Sequence, residues 1–250
     1  MTNQFVPPVR TILLGLVVLV SLIPLGASAN QPIIFGASLP LSGENANEGR
    51  AMRGALELMM EVTNHEGGIG GHPLEIIFKD DQNNADMARN VAEQFGKDPH
   101  VLAVIGHQFS GVALAASEVY ARYQLPHISP SASNPKVTRS SPWSFSMNYQ
   151  DDLQGENMAV YLKVVLGAKN LLIIHSDDTY GTGLVESFSA KAARLGLGVT
   201  QTASYSEEQK FAPDFVETIL AQDPDGTADA AILFAHTGEG SKLVQQLRAA

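Results

Sequence analysis

Apolar residues in this chain fall into short consecutive runs, separated by stretches where they recur every three or four positions. Pro32 to Ser38, Leu74 to Phe78, Val101 to Gly106 and Pro126 to Ser129 are such runs, bounded by turn-forming residues, and each reads as a buried strand. Residues 48–64, about 86–96 and about 112–123 have helical periodicity. In the first of these, Ala51, Ala55, Leu58, Met59 and Val62 recur at spacings of three and four. After Trp143-Ser144-Phe145 the alternation restarts. Helices are expected over about 152–166, 183–195 and 212–221, with strands at Leu171 to His175, Val199 to Tyr205 and Ala230 to Phe234. A last helix from about Gly240 is still running at Ala250.

Strands that are apolar on consecutive positions have both faces covered, and strand–helix alternation builds parallel sheets with helices on each side. The pattern therefore predicts an α/β protein of two Rossmann-like lobes, joined near Ser146 to Gln150: residues 30–149 form the first and 150–250 the second. The second block supplies about three strands and ends on a helix with no cap, so the second lobe is expected to be incomplete at Ala250.

Residues 1–29 stand apart. Arg10 precedes the apolar run Ile12 to Ile23, Pro24 and Gly26 break it, and Ala27-Ser28-Ala29 supplies the small residues of a cleavage site. This predicts a secretory signal removed before Asn30 and a periplasmic location. The run is shorter than the ~20 residues a spanning helix needs. The chain has no cysteine, which excludes both a disulfide framework and lipid attachment through an N-terminal cysteine. Its formal charge is −10; losing Arg10 leaves 15 basic against 26 acidic residues, or −11. Without a basic cluster, nucleic acid is not an expected partner.

In open parallel sheets ligands sit beyond the carboxyl ends of the strands. Beyond the third strand lies Gly106 to Gly111, where Ser110 fits the cap of the next helix, with free amides beside it. Beyond the fourth lies Ser129-Pro130-Ser131-Ala132-Ser133, small hydroxyl residues with exposed amides. Facing one crevice, the two turns would hold a carboxylate; singly, each is also an ordinary cap or turn. Beyond the first strand of the second block, Asp177 to Gly183 presents Tyr180, which either meets a ligand or packs at a helix start. Gly181-Thr182-Gly183 lacks the third glycine of a dinucleotide fingerprint, Glu186 standing in its place. The seven histidines show no metal-ligand spacing, and no cofactor is expected. Ser110, His175 and Asp177 could be assembled into a triad on paper, but no G-x-S-x-G elbow surrounds Ser110.

These stretches, with Gly36 to Gly43 and the Gly67 to Gly71 turn leading to Asp80-Asp81, resemble the periplasmic leucine/isoleucine/valine-binding family, the type I solute-binding proteins of branched-chain amino acid and amide ABC transporters. The similarity runs from about Ile33 to Ala250. It implies two lobes closing on a small ligand, and a transporter permease as partner. By position, Ser110 and the Ser131-Ala132-Ser133 turn would hold a ligand carboxylate, and Tyr180 would contact it from the second lobe. His236 falls where the family often has an aromatic on the ligand's amine side. Glu48 stands where many amino-acid binders have an aromatic lid, and the acidic residue that pairs with the ligand ammonium in many members would lie beyond Ala250. The resemblance implies a binding protein and no enzyme, with an aliphatic amino acid as first ligand and amides, urea or other small acids also in range. A sensor ectodomain and a periplasmic hydrolase are the alternative roles.

Overall fold

A computed structural model describes residues 30–206, 209, 214–222 and 226–249. The expected signal segment, the start of the 212–221 helix and Ala250 lie outside them. In the first half the strands are β1 (Ile33–Leu39), β2 (Leu74–Asp80), β3 (Val101–Gly106), β4 (His127–Ser129) and β5 (Ser144–Ser146). Its helices are α1 (Ala46–His65), α2 (Ala85–Lys97), α3 (Ser110–Tyr123) and the short α4 (Lys136–Arg139). In the second half α5 (Asp151–Val160) runs into a π-turn at Tyr161–Val165, followed by β6 (Asn170–Ser176), α6 (Thr179–Arg194), β7 (Gly198–Tyr205), α7 (Phe215–Leu220), β8 (Ala230–Phe234) and α8 (Thr237–Ala249).

Both sheets are parallel throughout. The first has order β2-β1-β3-β4-β5 and the second β7-β6-β8. Their carboxyl ends carry the loops that follow β1, β3 and β4 in one sheet and β6 and β8 in the other. Val104, Phe95 and Tyr120 anchor the core between the first sheet and α2–α3. The second sheet is covered on both faces, by Leu184, Phe188 and Ala159 on one side and Val216, Ile219 and Leu243 on the other. Each of the buried Val, Leu, Ile and Phe side chains contributes about 1.5–3 kcal/mol by leaving water. Gly155 lets α5 lie directly on α6, because a Cβ there would collide with Ser187 and the Phe188 backbone.

In α1 the apolar row at spacings of three and four lies outward: Leu58 and Met59 are 60% and 58% exposed, while Met52, Leu56 and Met60 are half-buried. Both faces of that helix carry apolar residues, so periodicity alone does not choose between them. Helix α6 starts at Thr179, four residues before the predicted start, because the Asp178 side chain caps it by accepting the Gly181 N–H at 2.8 Å. The helix expected over 152–166 ends as a π-turn. At α3, Phe109 holds the cap position with no side-chain bond, and Ser110 is the first helical residue.

Candidate functional site

One cleft, of about 290 Å³, is lined by residues following strands of both sheets. Gln108, Phe109 and Ser110 come from beyond β3, Ser131 to Ser133 from beyond β4, Tyr180 from beyond β6, and Ala235, His236 and Thr237 from beyond β8. Glu48 enters from the first turn of α1, and Asn148 and Gln154 from the crossover and α5. All seven residues singled out in the sequence (Glu48, Ser110, Ser131, Ala132, Ser133, Tyr180 and His236) line this cleft.

On the first-lobe side the backbone is shaped by hydroxyls that face inward. Ser129 Oγ donates to the His107 carbonyl at 2.6 Å and accepts the Ala132 N–H at 3.0 Å. Ser131 Oγ donates to the Gln108 carbonyl at 2.7 Å, and Ser110 Oγ accepts the Asn134 N–H at 3.3 Å. The Ala132 amide is therefore already engaged. The first-turn amides of α3, with no side-chain cap, and the Ser133 N–H, which no described residue accepts, remain for a ligand. The positive end of α3 adds to their pull on an anion.

Beneath this wall lies a fully buried polar chain that the sequence reading did not single out. Asp81 Oδ2 takes His107 Nδ1 at 2.7 Å and the Ser38 hydroxyl at 3.1 Å, and His107 Nε2 meets the Tyr120 hydroxyl at 3.1 Å. It ties the ends of β1, β2 and β3 to α3. Burial, with the Asp81 charge, holds the Tyr120 hydroxyl well above its ordinary pKa, so it stays a donor. These partners lie 13 to 43 residues apart, beyond any local motif.

The second-lobe side is made of side chains. His236 Nε2 lies 2.7 Å from Asp178 Oδ2, and its ring stacks at a tilt on Tyr180, with centroids 5.1 Å apart. The same ring meets Phe109 of the first lobe edge-on at 5.3 Å. Burial alone would raise the Asp178 pKa; bonds from His236, the Gly181 N–H and Ser176 outweigh it and hold it down to about 2. Burial disfavours the His236 cation, but the Asp178 bond and charge, helped by Glu239 and Glu48, win and raise its pKa. Tyr180 is pushed up by burial and by Asp151 and Asp178. Glu239, in the first turn of α8, is buried and accepts the Tyr205 hydroxyl at 2.6 Å.

Asp151 sits where the chain enters the second lobe. It is fully buried, and neither carboxylate oxygen has a hydrogen-bond partner among the described residues. Burial pushes its carboxyl up to about 6; the Ser133 hydroxyl opposes this from nearby without bonding geometry, and Asp152 and Asp178 add to it.

Chemically the cleft can hold an anion on main-chain amides, with an imidazolium opposite. The Ser110, His175 and Asp177 arrangement does not form: His175 Nδ1 is bonded to the Ser176 carbonyl at 2.7 Å, and neither His175 nor Asp177 lines the cleft. Around the rest of the rim, Glu48, Gln108, Asn148 and Gln154 present polar groups. A branched aliphatic group gains about 1.5–3 kcal/mol on full burial. Covering unpaired polar groups forfeits about 1–3 kcal/mol for each neutral one and more for a charge, so hydrocarbon gains little against this rim.

The family model described as periplasmic binding protein matches residues 32–250. The chain belongs to the periplasmic binding protein family. Within it, the relatives are of the leucine/isoleucine/valine-binding kind that the sequence resembles. The Leu/Ile/Val-binding protein homolog 1 of Brucella abortus is 33% identical over 192 residues, covering 76% of this chain and 52% of that protein. An amino acid binding protein of Pseudomonas aeruginosa is 34% identical over 230 residues, covering 91% of this chain and 60% of that one. The branched-chain amino acid transporter substrate binding protein LivJ of Streptococcus pneumoniae, solved with isoleucine, superposes with a TM-score of 0.77 at 25% identity, covering 88% of this chain and 61% of that one. The type I periplasmic binding protein fold expected from the sequence is thus the fold observed. The chain spans between half and two thirds of the length of these relatives.

Proposed function

We propose that this family member captures a small carboxylate, an amino acid first among them, as the extracytoplasmic solute-binding component of an ABC transporter, and that it turns nothing over. Residues 1–29 would be the cleaved signal, 30–149 the first lobe and 150–250 the second, acting in the periplasm and delivering to a membrane permease. Ser110, Ser131, Ala132 and Ser133 would face the ligand from the first lobe, Tyr180 and His236 from the second, with Glu48 at the rim. The observation that carries this reading is the single cleft at the carboxyl ends of both sheets, with unpaired amides on one side and the His236–Asp178 pair on the other. The similarity to relatives named for binding leucine, isoleucine and valine supports it. A ligand touching both lobes would favour the closed arrangement by its differential affinity.

The test is calorimetric titration of the purified chain with amino acids, alongside Ser110→Pro. Proline is tolerated at the first helical position, and Phe109 already has the extended backbone (ψ 148°) that precedes proline well. The substitution deletes one amide donor and leaves the helix intact, but it also removes the hydroxyl that accepts the Asn134 N–H, so Ser110→Ala, which loses that hydroxyl alone, is its reference. Loss of a bond to a charged group, about 1.5–3 kcal/mol, predicts that Ser110→Pro binds about 10- to 150-fold more weakly than Ser110→Ala at a similar melting temperature. Equal affinity in the two proteins would remove the α3 amides from the site.

A further inference from the structure

Carboxylate capture leaves one pair on the first-lobe wall without a task. Gln108 Nε2 donates to Glu48 Oε2 at 2.7 Å. A carboxylate only accepts, so this bond fixes the amide's orientation and turns Gln108 Oε1 the other way. That oxygen is buried and has no hydrogen-bond partner among the described residues. Glu48 stands exposed in the first turn of α1, with acceptor capacity to spare. Both groups line the cleft, beside the amides of Asn148 and Gln154. An exposed carboxylate held in place on this wall by the Gln108 amide calls for N–H donors on whatever fills the space. A hydrocarbon branch there would strip water from Glu48 and return nothing.

We propose that Glu48 and Gln108 form a donor-reading subsite that selects carboxylates bearing an amide or amino nitrogen on the side chain over those ending in a branched hydrocarbon. The proposal rests on the carboxylate-binding reading above. It departs from the ligand of the isoleucine-bound relative, and the polar rim is what sets the two apart.

The experiment is calorimetry on the full chain with leucine, glutamine and lysine as probes, repeated on Glu48→Leu and Glu48→Gln. The substituted side chain is exposed, and circular dichroism checks the fold. Glutamine and lysine are expected to bind the parent protein at least about tenfold more tightly than leucine, one hydrogen bond's worth of discrimination. Glu48→Leu should erase that preference by weakening glutamine and lysine at least about tenfold more than leucine; Glu48→Gln should keep glutamine and lose lysine. Leucine binding as tightly as glutamine to the parent would overturn the proposal and leave carboxylate capture standing. So would equal weakening of all three probes by Glu48→Leu, which would place the ligand's α-ammonium at Glu48. Failure of every probe to bind the folded parent would overturn both readings.

Discussion

The two walls of the cleft are built from different materials. The anion-holding part of the first-lobe wall is backbone, locked by inward-facing serine hydroxyls and braced by the buried Asp81–His107–Tyr120 chain. The second-lobe wall is side chain: Tyr180 and His236, held by one ion pair whose members are 24% and 43% exposed. A wall of amides offers the same donors at every ordinary pH and to any small anion. A wall of ionisable groups changes with pH and leaves room for substitution. The difference implies that the anion grip of the first lobe is indifferent to pH and that the hold of the second is not.

The largest effect expected from this contrast follows from cutting the brace. Asp81→Ala leaves His107 and Ser38 buried without their acceptor. Removing one member of a buried pair costs about 3–5 kcal/mol. Urea unfolding should show that loss, with amino-acid binding weakened as well, since the β3 end that carries Gln108 to Ser110 loses its support. Unchanged stability would mean that the amide wall holds its own shape.

How much of this was legible beforehand depends on the range over which each feature is specified. Strand–helix alternation is written in local runs, so both parallel sheets could be read; the strand-end rule then led to Ser110, the 131–133 turn and Tyr180, and the family resemblance to His236. The strand Ser144–Ser146 and the helix Lys136–Arg139, three and four residues long, carry too little period to detect. The α6 start was missed because Gly181 and Gly183 look like a loop until the Asp178 cap is seen. The outward position of Leu58 and Met59 could not be read from spacing, because an α1 helix apolar on both sides gives no preferred face. The brace and the Gln108–Glu48 pair join residues 13 to 60 positions apart, and nothing local announces them.

Asp151 tests the seam between the walls. Its ordinary pKa is 3.8 and the folded value is about 6, so the protonated form is the one the fold favours. Stability is full below pH 3.8, falls as pH rises toward 6, and is flat above. At 1.36 kcal/mol per unit, the buried charge costs on the order of 3 kcal/mol at neutral pH. Asp151→Asn should match the parent protein in urea at pH 4 and exceed its stability at pH 7.5. A variant less stable at both values would mean that the carboxylate finds a partner on closure.

The smallest expected effect lies on the adjustable wall. His236 has a raised pKa, so its cation, and whatever that cation adds, is fully present below pH 6.5 and disappears as pH rises through the higher folded value. Asp178, held at about 2, stays charged over that window, and Tyr180, pushed upward, stays neutral. The nearby Glu239 and Glu48 favour the imidazolium. Of His236, Asp178 and Tyr180, only His236 then changes charge between pH 6 and pH 9. Because Asp178 already neutralises it and solvent reaches the pair, its hold on a ligand anion is discounted to about 0.5–1 kcal/mol. Leucine or glutamine should therefore bind about two- to fivefold more weakly at pH 9 than at pH 6, and His236→Gln should flatten that slope without altering affinity at pH 9. A pH dependence that survives in His236→Gln would move the titrating group to the first-lobe wall, and the division of labour between the two walls would fall with it.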